Sequence, residues 1–178
     1  AGETVLLAEA LVGAYARELG EEPEVVSRRA GAELVGLRYT PVFDYYLAYD
    51  GVTPQEVPGP NAWQLIEADF VTTEDGTGLV HMSPAFGEDD MLACQAAGIG
   101  TVMTVDDSGR FNSQVPDYAG LQVFEANRPI VQDLRRAHED DAGPLARIPE
   151  ERRAVLVRQQ SYVHPYPHCW RCRQPLIY

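Results

Sequence analysis

The stretch Gly76-Thr77-Gly78-Leu79-Val80-His81-Met82-Ser83-Pro84-Ala85-Phe86-Gly87-Glu88-Asp89-Asp90 organises the reading of this 178-residue chain. It leaves the turn Glu74-Asp75-Gly76, runs through a short apolar segment to His81, crosses a Pro/Gly loop and enters an acidic helix start. A strand end, a loop and a helix start can bring His81 and Asp90 to one cleft. Histidine titrates near neutral pH. An aspartate at a helix N-terminus stays ionised, which suits holding a cation better than donating a proton. The plainer account is a core histidine bonded to a carbonyl, beside a solvated cap of Glu88, Asp89 and Asp90 worth a few tenths to about 1 kcal/mol. Gly76-Thr77-Gly78 lacks the lysine and spacing of a phosphate loop and precedes a strand candidate, so turn geometry accounts for it.

Upstream, residues 63–72 are rich in strand formers, and Glu74-Asp75-Gly76 joins them to Leu79-Val80 as a hairpin. Earlier still, residues 4–7 read as a strand, and 8–19 as a helix with Leu11, Val12, Tyr15 and Leu19 on one face and Gly20 as its stop. Val25-Val26 read as a short strand and 32–36 as a helical turn. Tyr45, Tyr46 and Tyr49 cluster, and the proline-rich residues 54–60 predict an exposed loop.

Downstream, residues 88–97 read as a helix ended by Gly98. Residues 101–105 and 110–111 flank Asp106-Asp107-Ser108-Gly109 as a second hairpin. Asn127 is placed to cap a helix with Pro129 in its first turn and Ile130, Val131 and Leu134 on its apolar face. Residues 154–157 and 161–163 close the chain as strands. Strands interrupted by short helices, without regular βαβ alternation, predict an α+β domain whose β-barrel-like core is flanked by short helices.

The chain is 45% hydrophobic but has no apolar run near the roughly 18 residues a membrane span needs, so a soluble domain with no membrane partner is expected. It opens on Ala1 without a signal peptide and closes on the apolar Pro175-Leu176-Ile177-Tyr178, which predicts a piece of a longer, cytoplasmic chain. A net charge of -13 argues against non-specific nucleic-acid binding. The C-terminal end is locally basic: Arg147, Arg152, Arg153, Arg158, Arg171 and Arg173 face only Glu150 and Glu151 there.

Three cysteines do not make a disulfide framework. Cys169 and Cys172, spaced Cys-x-x-Cys, form half of a tetrahedral zinc site. His164 and His168 within the chain, or a second Cys-x-x-Cys outside it, are the candidates to complete it; the third alternative is no metal. Cys94, in an Ala-rich helix, reads as core.

Glu74 to His81, Pro84 with Gly87-Glu88-Asp89-Asp90, Glu125-Ala126-Asn127, and Tyr166-Pro167-His168-Cys169-Trp170-Arg171-Cys172 with residues 175–178 occur in an order that resembles the editing domain of isoleucyl-tRNA synthetase, the insertion called connective polypeptide 1. The first 60 residues match more loosely, through Ala8-Glu9-Ala10-Leu11 and Gly36-Leu37-Arg38-Tyr39. Valyl and leucyl relatives share the acidic motif, whereas the His-Cys-Trp-Arg-Cys ending is similar to the isoleucyl branch.

The resemblance implies a class I synthetase editing domain over residues 1–163, and over 164–178 a Cys-containing return segment toward the catalytic domain of the parent chain. It implies hydrolysis of valine wrongly esterified to isoleucine tRNA. Asp90 then grips the α-ammonium, His81 lies beside the amino-acid side chain and terminal ribose, and Met82, Phe86 and Gly78 shape the pocket. A second sieve is needed because one methylene is worth only about 1–3 kcal/mol, a limit for which isoleucyl-tRNA synthetases are themselves the standard illustration.

With no Ser-His or Cys-His nucleophile in view, a positioned water attacks the ester. Editing needs no cofactor, while the parent uses ATP, and zinc is shared with an absent Cys-x-x-Cys. The partners are the tRNA 3′ end carrying valine and the rest of the parent chain. The family's threonine-rich segment lies upstream of this chain, and Thr72, Thr73 and Thr77 are not that segment. The competing readings are a non-catalytic zinc-stapled module that docks tRNA or a domain, and a metallohydrolase using His81, Glu88 and Asp90.

Overall fold

Leu11, on the apolar face predicted over 8–19, is buried and anchors a 3-10 helix, Glu9–Tyr15, that runs directly into α1, Ala16–Leu19. Gly20 follows at φ 88°, a left-handed conformation that only glycine adopts without a Cβ penalty. The computed structural model describes residues 4–20, 23–47, 58–74, 76–139, 141–161, 163 and 165–177. Tyr49, His164 and most of the predicted loop over 54–60 lie outside the described residues.

A further 3-10 helix, Gly31–Leu34, forms where a helical turn is expected. α2 spans Glu88–Ala96, with Gly87 as N-cap and Glu88, Asp89 and Asp90 in its first turn. Its end is a Schellman motif: Gly98 N–H donates to Gln95 O at 3.0 Å and Ile99 N–H to Cys94 O at 2.8 Å, with Gly98 at φ 70°.

α3 spans Val123–Arg135 and corrects the expected start at Asn127. The Gln122 side chain accepts the Phe124 amide at 2.8 Å, so the cap lies upstream and Pro129 sits inside the helix. Short 3-10 helices at Pro116–Tyr118, Gly143–Arg147 and Glu150–Arg152 complete the regular structure among the described residues.

The β-barrel-like core is not formed. Among the described residues there is no strand or sheet, only isolated antiparallel bridges: Arg38 with Gln64, Val105 with Phe111, Arg110 with Gln122, and His168 with Pro175. The sequence expectation fails for local reasons. At the predicted first hairpin, the Thr77 hydroxyl donates to Leu79 O at 3.1 Å and accepts the Leu79 amide at 3.4 Å. Both groups that a ladder would use are thereby engaged by the side chain. Gly76 and Gly78 are left-handed on either side.

Upstream, Tyr39 and Leu65 donate to Trp63 O and Leu37 O, but Trp63 at φ 60° turns the chain away after one bridge. The second predicted turn does form: Asp106 Oδ1 accepts the amides of Ser108 and Arg110, and Asn112 N–H reaches Thr104 O at 2.9 Å. It too carries one bridge. Residues 154–157 form no ladder among the described residues, and Val155 and Val157 are exposed.

The buried cluster lies in the second half of the chain. Ala137, Ala142, Leu145 and Ile148 pack together with Phe43 and Leu134 against them. Full burial of Leu145 contributes about 1.5–3 kcal/mol. Arg147, in the same 3-10 helix, ties this cluster to two others: its Nε lies 3.2 Å from Asp44 Oδ1 and its Nη2 2.6 Å from Asp117 Oδ2. Asp44 is buried, so the guanidinium offsets a desolvation cost that an isolated carboxylate would not survive. Tyr118 Oη donates to Asp133 Oδ2 at 2.7 Å, joining the 116–118 turn to α3; burial, then that carboxylate, pushes the phenol up. Among the described residues no helix is long and apolar enough to cross a membrane.

Candidate functional site

Asp90 is the third residue of α2, where a carboxylate commonly reaches back to satisfy a free amide ahead of the helix. Here it reaches across the whole Pro/Gly loop. The Ser83 N–H donates to Asp90 Oδ2 at 2.8 Å, and a Cβ on Gly87 would sit 3.1 Å from Asp90 Cγ. The 83–87 loop thus folds tightly over the carboxylate. Oδ1 accepts no hydrogen bond among the described residues. Glu88 and Asp89 are exposed, and neither they nor Gly87 makes a side-chain cap.

The segment ahead of the loop lies against the N-terminal residues. Ala8 N–H donates to Thr77 O at 2.8 Å, and a Cβ on Gly78 would meet Ala8 Cβ at 2.6 Å. Gly78 is therefore the point where two chain segments touch backbone to backbone. Beyond it, the chain borders a cavity of about 1330 Å³ whose walls are mostly apolar: Leu6, Val26, Leu37 and Ile66 with Met82 and Cys94. His81 lies on the same wall and is exposed.

The structure therefore brings Gly78, His81 and Met82 together at one cavity. Asp90 does not line it; its carboxylate is bound by the amide of Ser83, which does. Phe86 lines a second cavity of about 680 Å³, between the loop, the Asp106 turn and residues 174–177. Among the described residues no three His, Cys, Asp or Glu side chains converge as metal ligands, so His81, Glu88 and Asp90 form no such group.

Cys94 sits one turn beyond Asp90 and is buried, as expected of a core residue. Burial, then the Asp90 charge, pushes its thiol up. A thiol held up in this way stays protonated at neutral pH and is a poor nucleophile. The sequence reading missed two partners, the Ser83 amide and Ala8. The first was signalled by a carboxylate at the third helical position, the second only by a glycine in a close-packed turn.

Residues 165–177 fold back as a narrow turn. Arg173 N–H donates to Cys169 O at 2.8 Å, Cys169 N–H to Gln174 O at 2.9 Å, and Leu176 N–H to Pro167 O at 3.0 Å. Arg173 is left-handed at φ 57°. The amides of Cys172 and Arg171 point at the Cys169 sulfur and hold its thiol below the usual range. This donor set fits a metal that takes thiolates, and it supplies two of the four positions a tetrahedral ion requires.

No protein-family model matches the chain. Individual sequences do, and they define its class as a segment of an amino acid–tRNA ligase. It is 52% identical over 173 residues, 97% of this chain, to the isoleucine–tRNA ligase of Mycobacterium tuberculosis. The figures are 51% over 178 residues for the Bifidobacterium longum enzyme and 49% over 177 for that of Corynebacterium diphtheriae, covering 100% and 99% of this chain. The chain belongs with the isoleucine–tRNA ligases, as a homologue of one segment of them. It spans only 14–16% of the length of these relatives.

Proposed function

We propose that this segment is the editing unit of an isoleucine–tRNA ligase, hydrolysing valine wrongly esterified to isoleucine tRNA. The parent enzyme then ligates isoleucine to tRNA with ATP in the cytoplasm. The observation that carries the reading is the placement of His81 and Met82 on the wall of a mostly apolar cavity, with the Asp90 carboxylate one loop away. Support also comes from the homology to isoleucine–tRNA ligases along nearly the whole chain.

In this reading Asp90 receives the α-ammonium of the misplaced amino acid through a charge-assisted hydrogen bond. The start of the 83–87 loop links the Asp90 carboxylate to the cavity, because Ser83 and Pro84 line the cavity and the Ser83 amide binds that carboxylate. His81 orients the ester and terminal ribose, and water attacks the carbonyl. Cys94 takes no part, being buried and protonated. The cavity, at about 1330 Å³, is far larger than a valine side chain, so discrimination falls to the part of its wall that carries Gly78, His81 and Met82.

Cys169 and Cys172 are proposed as half of a structural zinc site shared with a second Cys-x-x-Cys of the parent. When bound, zinc would clamp the return segment, residues 164–178, to the rest of the enzyme; it has no part in the editing chemistry. The spacing and the amide-lined turn at Cys169 support this role.

The test of the editing reading is to add the complete ligase to isoleucine tRNA charged either with valine or with isoleucine. Rapid release of valine with retention of isoleucine is expected, and equal release of both would sink the proposal.

A further inference from the structure

A helix ordinarily begins on Ser, Thr, Asp or Asn, whose side chain accepts one of the free amides of the first turn. α2 begins on Gly87, and no side chain caps it. Conformation does not call for glycine there: at φ -159° and ψ 132° the backbone is extended, which any residue adopts. Space does. A Cβ at residue 87 would stand 3.1 Å from Asp90 Cγ, 3.2 Å from Oδ2 and 3.3 Å from Asp90 Cβ, inside the roughly 3.5–4.0 Å at which packed carbon atoms rest.

Oδ2 is also the oxygen that accepts the Ser83 N–H, at 2.8 Å. It fits against that amide because residue 87 has no side chain. Oδ1 accepts no hydrogen bond among the described residues, so the two oxygens of one carboxylate are in different states.

We propose that Gly87 is a positioning residue for the editing reaction: lacking a side chain, it lets the Asp90 carboxylate settle on the Ser83 amide through Oδ2 and leaves Oδ1 to receive the α-ammonium of the substrate. The helix forgoes a side-chain cap, and the carboxylate is held in one place. An ammonium anchor acts through a directed, charge-assisted hydrogen bond, so the aim of Oδ1 matters. With alanine at residue 87, Asp90 must give by a few tenths of an ångström or turn about its Cα–Cβ bond. Either change loosens the bond to Ser83 or aims Oδ1 elsewhere. A misplacement of about 1 Å can cost roughly 100-fold in rate, so a shift of this size costs about three- to tenfold.

The inference rests on the reading of Asp90 as the ammonium anchor, and it assigns Gly87 no contact with substrate.

The test uses the complete ligase and two esters of isoleucine tRNA. One carries valine; the other carries 2-hydroxyisovalerate, which has the valine side chain but a hydroxyl in place of the ammonium. Gly87→Ala should hydrolyse the valyl ester about three- to tenfold more slowly than wild type, and the hydroxy ester within about twofold of it. Gly87→Ser, which offers the helix a capping hydroxyl, should show the same split, so that a weakened helix start is not its cause.

Hydrolysis of the valyl ester at the wild-type rate by Gly87→Ala overturns the proposal. An equal loss on both esters also overturns it and assigns Gly87 to the stability of the loop alone. A loss of preference for the valyl ester in Asp90→Ala, with that preference fully kept in Gly87→Ala, removes the positioning role and leaves the anchor standing. A wild-type enzyme that accelerates both esters equally over their spontaneous rates does not recognise the ammonium, and then the anchor role of Asp90 and the positioning role of Gly87 fall together.

Discussion

The Ser83 amide and the Asp90 carboxylate meet at 2.8 Å, so the first turn of α2 closes the Pro/Gly loop that precedes it. The residue proposed to hold the substrate ammonium therefore also holds the loop in front of it. These two duties separate by substitution. Asp90→Ala removes the acceptor and should lower stability by about 1–2 kcal/mol, as for a hydrogen bond to a charged group. Asp90→Asn keeps an acceptor for Ser83 and should cost less than half as much. Urea unfolding checks this through the midpoint at constant m-value.

Gly78 and Gly76 provide a matched pair. Both are left-handed, at φ 76° and 66°, so alanine at either position meets backbone strain of about 1 kcal/mol. At Gly76 a Cβ enters open space, but at Gly78 it would press on Ala8. Gly78→Ala should therefore cost at least about 1–2 kcal/mol more than Gly76→Ala and displace residues 8–11. Thermal unfolding of the two variants measures the difference.

Arg147 should prove the costliest arginine to lose. Its truncation strips the guanidinium from buried Asp44 and is expected to destabilise by about 3 kcal/mol. Asp117→Asn, on the more open side of the same guanidinium, should cost less than about 1 kcal/mol at neutral pH. The Arg147 hydrogen bond holds the Asp117 carboxyl below its usual value. A group lowered in the folded state adds stability above its unfolded pKa, about 3.9, and loses it as pH falls through the folded value. Acid unfolding of Asp117→Asn should consequently show a weaker pH dependence below about pH 4 than wild type.

Zinc analysis of the complete ligase should find the ion lost from Cys172→Ala and from Cys169→Ala. Retention of full zinc by both variants would place the metal elsewhere.

Much of the local structure was legible in the sequence. The acidic start and glycine stop of α2, the turn at Asp106 and the core position of Cys94 follow from caps, turn chemistry and composition. The barrel was not, because residues that favour strands do not by themselves supply ladder partners. The Thr77 hydroxyl and the left-handed Trp63 divert the two central candidates, and neither effect is visible in hydrophobic pattern. The start of α3 was misplaced because Asn127 and Pro129 resemble a helix start more strongly than Gln122, whose side chain makes the cap. At the site, the sequence placed His81 and Asp90 at the two ends of one loop, whereas the structure puts His81 on the cavity wall and ties the Asp90 carboxylate to the Ser83 amide.

Asp90→Asn offers the most direct measurement, because it retains the acceptor for Ser83 and removes the charge. In the complete ligase, hydrolysis of valyl-tRNA should fall about 10- to 100-fold, while charging of tRNA with isoleucine stays within about twofold. Deacylation by Asp90→Asn at the wild-type rate would contradict the assignment of Asp90 as the ammonium anchor and, with it, the central claim.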